Sequence, residues 1–235
     1  MREAFQQARP VIGMFVLCGV LIGGISWWLA AEKAPEVTID EQIDELPAPL
    51  EAEQLADYDV TMTNKNNSVA VLETNKGTIE IELFEDTMPI TAGNFAKLIN
   101  EGYYDGIKFH RVIEGFMIQG GDPITKTDEV LRYGTGGPGY SIPDEHIAGK
   151  YLTNVRGTIS MANSGPNSGG SQFFINLVDN TNLDFDKPPL QSKHPVFGQV
   201  IEGMDVVDAI GSAETAVRDL PLEEIVIEKA TIRRG

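Results

Sequence analysis

The chain has 235 residues, which allows one domain with tails or two small domains. Its net charge of −17 sets nucleic-acid phosphates and anionic lipid headgroups aside as partners. The single cysteine, Cys18, excludes an internal disulfide and a cysteine-based zinc cluster.

In chain order, the first element is "VIGMFVLCGVLIGGISWWLAA", residues 11–31, without a single charge. Such a run is long enough to cross a hydrocarbon core of about 30 Å. Arg2 and Arg9 precede it, so the positive-inside rule predicts residues 1–10 in the cytoplasm and the rest outside. Trp27 and Trp28 fall at an interfacial position. A cleaved signal peptide is the competing interpretation, but the apolar run is long for one, which favours an uncleaved anchor. A lipoprotein signature is disfavoured by the bulky Leu17 before Cys18. Residues 32–67 change character: ten acidic residues and one lysine lie between Glu32 and Asp59, and Pro35, Pro47 and Pro49 interrupt any helix. This composition predicts a disordered acidic tether with a reach of roughly 30–35 Å.

From Ser68 to Gly235 the pattern is mainly β. "VAVLET" and "TIEIELF" flank "NKG", a hairpin signal with Gly77 at the turn. Pro89 and Thr91 open a helix whose inner face is Phe95, Leu98 and Ile99, and Gly102 stops it. Short strands are predicted at 109–113, 116–120, 157–161, 172–177 and 196–201. A second short helix covers Met204–Ile210, and "EEIVIEKATI" makes a last strand. Many strands and few helices point to a barrel or sandwich.

Three motifs invite the wrong chemistry. "GTGGPG", 134–139, matches a nucleotide fingerprint but is followed by Pro138 and loop residues rather than a helix. "NSGGS", 167–171, lacks the serine elbow, and Ser168 has no base close in sequence. His110, His146 and His194 show no metal-ligand spacing; His110 reads as structural. The informative stretch is "FHRVIEGFMIQGGD", 109–122, where Arg111 interrupts an apolar run. Strand alternation puts Phe109, Arg111 and Ile113 on one face, and Met117 and Gln119 on the face opposite Phe116 and Ile118. A turn at Glu114–Gly115 then brings Arg111 across from Met117 and Gln119. In "ISMANSGPNSGGSQFFINL", 159–177, Phe173 and Phe174 point to opposite faces, one to the core and one to a pocket. Taken singly, Arg111 reads first as an ion-pair partner, and Phe116 and Phe174 as plain core.

Together, "FHRVIEGFMIQGGD", "GTGGPGYSIPDE", "SMANSGPNSGGSQFFI" and "HPVFGQV" resemble the cyclophilin family of peptidyl-prolyl cis/trans isomerases, in a bacterial-like form, over roughly residues 69–234. The resemblance implies a closed eight-stranded antiparallel β-barrel with two helices, and no cofactor or metal. It implies Arg111 as hydrogen-bond donor to a twisted X-Pro amide. Phe116, Met117, Phe174 and Leu183 would form the proline pocket. Gln119 and the Asn163 backbone would hold substrate carbonyl groups, and Ala162, Gln172 and His194 would line the groove. Expected partners are proline-containing unfolded or partly folded exported polypeptides, with the inner membrane engaged through residues 11–31. A non-catalytic chaperone or assembly scaffold is the alternative. Asn182 stands where eukaryotic members carry tryptophan, which implies weak or no cyclosporin binding. "FDKPPLQSK", 185–193, is longer than the usual connection and is expected to order near the pocket rim.

Overall fold

The computed structural model describes residues 64, 66–147, 152–190 and 193–234. The predicted span at 11–31 and most of the acidic tether lie outside the described residues. Among the described residues, no helix is long and apolar enough to cross a membrane.

Eight strands and two helices follow in the order β1 (Ser68–Thr74), β2 (Gly77–Leu83), α1 (Pro89–Asn100), β3 (Arg111–Ile113), β4 (Met117–Gly120), β5 (Thr158–Met161), β6 (Phe173–Asn176), β7 (Val196–Glu202), α2 (Met204–Gly211) and β8 (Ile227–Arg234). The hairpin, both helices and the short strands fall close to where periodicity puts them. All strands belong to one antiparallel sheet in the order β3-β4-β6-β5-β7-β2-β1-β8.

The closed ladder expected from the resemblance is not formed. The sheet ends at β3 and β8, and what spans them is the irregular segment before β3. Ile227 N donates to Ile107 O at 2.8 Å, and Phe109 N to Ile225 O at 2.9 Å. Lys108 and Val226 form an isolated bridge, and the Asp105 carboxylate accepts from Ala230 N at 2.9 Å. Because this segment is not yet strand, alternation does not apply to it. Phe109 therefore packs into the main core and not beside Arg111. The hairpin turn at Gly77 is held at φ 134°, where a Cβ would sit 2.7 Å from Val206 Cγ2.

The core lies between one face of the sheet and the two helices. Phe95 of α1 touches Tyr104, Phe173 and Phe197, with ring centroids 4.9–5.3 Å apart. Such offset and edge contacts add to the area term. Leu98 and Ile99 complete the α1 face, and Val207 and Ile210 bury α2. No side chain of its own caps α1. The Glu145 carboxylate instead accepts from Ile90 N and Thr91 N at 3.0 and 2.5 Å. A carboxylate there satisfies orphan donors and complements the positive helix end. It also ties the glycine-rich loop to the helix. At the sheet's start, Asn64 N and Asn67 Nδ2 donate to buried Glu82, so the folded unit reaches a few residues ahead of Ser68.

On the opposite side of β5 and β6 lies a buried amide network. Asn154 Oδ1 accepts from Ser160 Oγ at 2.7 Å. Asn176 Nδ2 reaches Thr158 Oγ1 at 3.0 Å. Asn180 Nδ2 donates to both Asn176 Oδ1 and the Phe116 carbonyl at 2.8 Å. Truncating Asn180 to Ala strands the buried Asn176 Oδ1, at a cost of about 1–3 kcal/mol, while the Phe116 carbonyl keeps Leu177 N. Urea unfolding of Asn180→Ala should show a loss of that size.

His110 is buried against Gly134. Burial lowers its pKa from 6.5, reinforced by the Arg111 and Arg218 charges and opposed by that of Asp122. Its neutral form is thus favoured in the fold, and below about pH 6.5 the unfolded chain binds more protons. Stability should fall as pH drops from 7.5 to 5.5, and His110→Gln should shallow that slope. An unchanged slope in the variant would assign the titration elsewhere.

Candidate active site

The site sits on the face of β3, β4 and β6 that is turned away from the main core. The register sets Arg111 opposite Gln119, Ile113 opposite Met117, and Gln119 opposite Phe174. Directly opposed residues share a face. The neighbouring pairs, Ile118 with Ile175 and Gly120 with Phe173, face the main core. Phe173 and Phe174 accordingly part company as alternation predicts.

A small second apolar cluster forms on the outer face. Met117, Phe174 and Leu183 are buried in it, and Ile113, Phe116 and Ala162 pack against it. Phe116 departs from the alternation expected of it and joins Met117. It closes the β3–β4 turn, with its N–H on Ile113 O at 3.0 Å, and is not a strand residue. Its carbonyl is fixed by Asn180 Nδ2 and Leu177 N. Leu183 is held by a short helical turn, Thr181–Leu183, anchored through Asp184. That buried carboxylate accepts from Thr153 Oγ1 and from Asn154 N and Nδ2. His194 N donates to Leu183 O at 3.1 Å, which joins the last site segment to the cluster. Within 185–193, Lys187 Nζ lies 3.0 Å from Asp184 Oδ2, and Phe185 stacks on His146 with centroids 5.1 Å apart.

Polar groups frame the cluster. Gln119 Nε2 donates to Gln172 Oε1 at 3.0 Å, and Gln172 Nε2 to Gly136 O at 2.8 Å. Ala162 N donates to Gln172 O. The Asn163 side chain is spent on Lys193 O and Gly165 N. Its backbone groups have no partner among the described residues. His194 Nδ1 lies 3.0 Å from Met161 O. A carbonyl only accepts, so Nδ1 carries the proton and Nε2 is left as acceptor. Burial lowers the His194 pKa, and its ring stands edge-on to Phe174 at 5.3 Å.

Arg111 has a protein partner that sequence did not show. Its Nε donates to Asp219 Oδ2 at 3.2 Å, both side chains being 43% exposed. The two Nη atoms have no partner among the described residues. Asp219 sits at the tip of a tight loop closed by Ala216 N on Leu220 O at 2.7 Å. Arg218 and Asp219 both have positive φ, 69° and 60°. Left-handed backbone at non-glycine residues costs of order 1–3 kcal/mol each. A half-exposed ion pair contributes about 0–1 kcal/mol and does not offset that. The Arg218 guanidinium helps hold the tip, donating to Leu131 O and Tyr133 O at 3.0 and 3.1 Å.

Two hollows meet at Gln119. One, of about 500 Å³, is lined by Arg111, His110, Tyr133, Leu131, Val217 and Asp219. The other, of about 840 Å³, is lined by Gly136, Pro138, Ala162, Asn163 and Gln172. The loop 134–139 between them is wound round a buried carboxylate. Asp122 Oδ2 accepts from Gly134 N and Gly136 N at 2.6 and 3.2 Å. A Cβ on Gly136 would lie 2.1 Å from Asp122 Oδ1, so glycine is required there. The glycines cradle the protein's own carboxylate, and among the described residues no helix directly follows them. Ser168 Oγ is spent on Gly165 O at 2.6 Å. The ten residues singled out in sequence thus converge on one face. Asp122, Asn180, Asp184 and Asp219 support them and are not among the residues the sequence singles out. The Asp122 loop closure had a trace in the glycine spacing; the other three had none.

The sequence profile described as "Cyclophilin type peptidyl-prolyl cis-trans isomerase/CLD" matches residues 69–232. Peptidyl-prolyl cis-trans isomerase CYP18-1 of Arabidopsis thaliana is 44% identical over 68% of this chain and 93% of its own length. A Streptococcus pyogenes protein described as a bifunctional phosphatase/peptidyl-prolyl cis-trans isomerase is 36% identical over 92% of this chain. The chain spans about half, 50%, of that relative's length. The crystal structure of a Cryptosporidium parvum cyclophilin type peptidyl-prolyl cis-trans isomerase superposes with a TM-score of 0.61 at 32% identity, covering 72% of this chain and 98% of that one. A second crystal structure of that enzyme, in the presence of the dipeptide Ala-Pro, gives 0.60 at 32%, covering 71% and 99%. The profile match spans most of the chain, the eight-stranded antiparallel sheet with two helices agrees with the superpositions, and the chain belongs to the cyclophilin-type peptidyl-prolyl cis-trans isomerase family.

Proposed function

We propose that this chain accelerates cis/trans isomerisation of X-Pro bonds in exported polypeptides through the guanidinium of Arg111. The observation that carries this is the placement of Arg111, with both Nη atoms unpartnered, opposite Gln119 and beside the Met117–Phe174–Leu183 cluster. The X-Pro barrier of about 18–20 kcal/mol is amide resonance. Uncatalysed exchange takes tens of seconds. In the twisted state the imide nitrogen regains its lone pair. A fixed N–H donor aimed at that lone pair stabilises the twisted state more than the planar one. Arginine suits this because it stays charged and donates only. Lowering the barrier by about 7 kcal/mol gives roughly 10⁵-fold acceleration.

The proline ring occupies the cluster of Phe116, Met117, Phe174 and Leu183. Gln119 and the Asn163 backbone hold the flanking carbonyl groups, while Ala162, Gln172 and His194 line the groove. A relative crystallised with Ala-Pro supports the substrate class. No nucleophile, metal or proton shuttle enters the reaction. The uncharged run at residues 11–31 supports a membrane-tethered enzyme with its domain outside the cytoplasm. The tether would confine it to where translocated chains emerge.

The test is NMR exchange on an X-Pro peptide with the full chain. Arg111→Ala should lose most turnover, on the order of a hundredfold or more, yet keep fold and weak peptide binding. Parent-like turnover in the variant sinks the mechanism, and binding without acceleration in the parent favours the scaffold alternative. Asn182 is exposed beside Leu183 at the rim. Titration should show Asn182→Trp tightening cyclosporin binding; an unchanged affinity would mean the rim differs in more than this side chain.

A further inference from the structure

Arg111 could satisfy its charge with water alone. Instead, a loop from the far end of the chain brings a carboxylate to one nitrogen of it. The loop runs from Glu214 to Leu222, whose N–H and carbonyl pair at 2.8 Å, with a further bridge between Thr215 and Pro221. Its tip, Val217–Asp219, includes two consecutive left-handed non-glycine residues. Arg218 is stapled to the carbonyls of Leu131 and Tyr133, on the loop facing the same hollow. The backbone conformation is thereby fixed, and Asp219 Oδ2 is delivered to Arg111 Nε at 3.2 Å.

We propose that Asp219 is a positioning residue for isomerisation: by accepting from Arg111 Nε it fixes the plane of the guanidinium and reserves both Nη atoms for the substrate imide. This rests on the assignment of Arg111 as the donor. The choice of nitrogen matters. Nε lies in the chain, so a bond there sets the last side-chain torsion, whereas a bond to one Nη would occupy a donor the reaction needs. The strained tip fits this role, because backbone strain concentrates where surrounding structure over-determines a functional geometry. The sequence separation of 108 residues also makes it a deliberate tertiary contact and not a helix-neighbour accident. Asp219 touches no reacting atom; it acts through Arg111.

The decisive variant is Asp219→Gly, in the full chain. Glycine adopts positive φ without penalty, so it relieves the tip while removing the carboxylate. Asp219→Asn keeps an acceptor oxygen and tolerates the same backbone. Asp219→Gly should lower turnover about tenfold to a hundredfold, the scale of a misplaced catalytic group. Its melting temperature should not fall, and peptide affinity should stay within about twofold of the parent by NMR titration. Asp219→Asn should recover most of the loss. In an Arg111→Lys background, which lacks Nε, Asp219→Gly should cost nothing further. Parent-like turnover in Asp219→Gly overturns the proposal. So does an equal loss in the glycine and asparagine variants, or a loss of affinity in step with turnover. The Arg111 Nε–H resonance supplies a readout free of activity: protected in the parent, exposed to solvent exchange in Asp219→Gly. If that signal behaves so while the parent itself fails to speed exchange, the isomerase assignment falls and the contact stands. If the parent is active and Nε–H is unprotected, the positioning role falls alone.

Discussion

The pairing of β4 with β6 is the constraint on which the site depends. Antiparallel register sends alternate residues to opposite sides, so four consecutive pairs build two environments at once. Ile118 with Ile175 and Gly120 with Phe173 close the main core. Met117 with Asn176 and Gln119 with Phe174 build the outer face. A one-residue slip would exchange the two sets and leave neither a core nor a site. Because the core side is filled by large side chains in edge and offset contact, the register cannot drift without opening cavities. The rigidity of the site is therefore borrowed from the core behind it.

Buried carboxylates extend that rigidity to the loops. Glu82, Asp122, Glu145 and Asp184 are each nearly or fully buried. Each accepts from two or more donors: Glu82 from Asn64 N, Asn67 Nδ2 and Gln199 Nε2, Asp122 from Ile124 N, Gly134 N and Gly136 N. A carboxylate buried there without its donors would be an unpaired charge, which costs several kcal/mol. The loops carrying Gly136, Leu183 and His194 are consequently not free to wander. Charge-assisted bonds do for the loops what ladder bonds do for the strands.

This division explains what was legible in the sequence. Strands and helices announce themselves by period, and the split between Phe173 and Phe174 followed from alternation alone. Alternation misled at two places, both outside true strand. Phe109 belongs to the segment that bridges toward β8, and Phe116 belongs to a turn. The resemblance singled out ten candidate residues, and the structure brings them to one face. The supports were invisible for a physical reason. Asp219 meets Arg111 across 108 residues of sequence, and Asn180 meets the carbonyl of Phe116 across 64. Neither contact leaves a periodic trace, and Asp and Asn in loops read as ordinary turn residues. "GTGGPG" is the converse case. Its glycines are demanded by close approach to Asp122, and the pattern they make resembles one that serves another chemistry.

If Arg111 is the donor proposed above, the remaining question is whether a carboxylate next to that cation defeats it. At half exposure the effective dielectric is high, and two unit charges about 4 Å apart interact by only about 1–4 kcal/mol. That Coulombic attraction is present in both the planar and the twisted substrate complexes, so most of it cancels from the barrier. What does not cancel is geometry. A donor aimed at a nitrogen lone pair acts only over a narrow range of distance and angle. A freely rotating guanidinium would spend much of its time outside that range and would have to be ordered as the amide twists. Fixing it beforehand at Nε moves that ordering cost into folding, where the strained loop and the Arg218 contacts carry it. The barrier reduction of about 7 kcal/mol proposed for Arg111 is far larger than the residual field that the carboxylate subtracts. A nearby acid is thus compatible with a cationic catalyst, provided that it binds the nitrogen the reaction does not use.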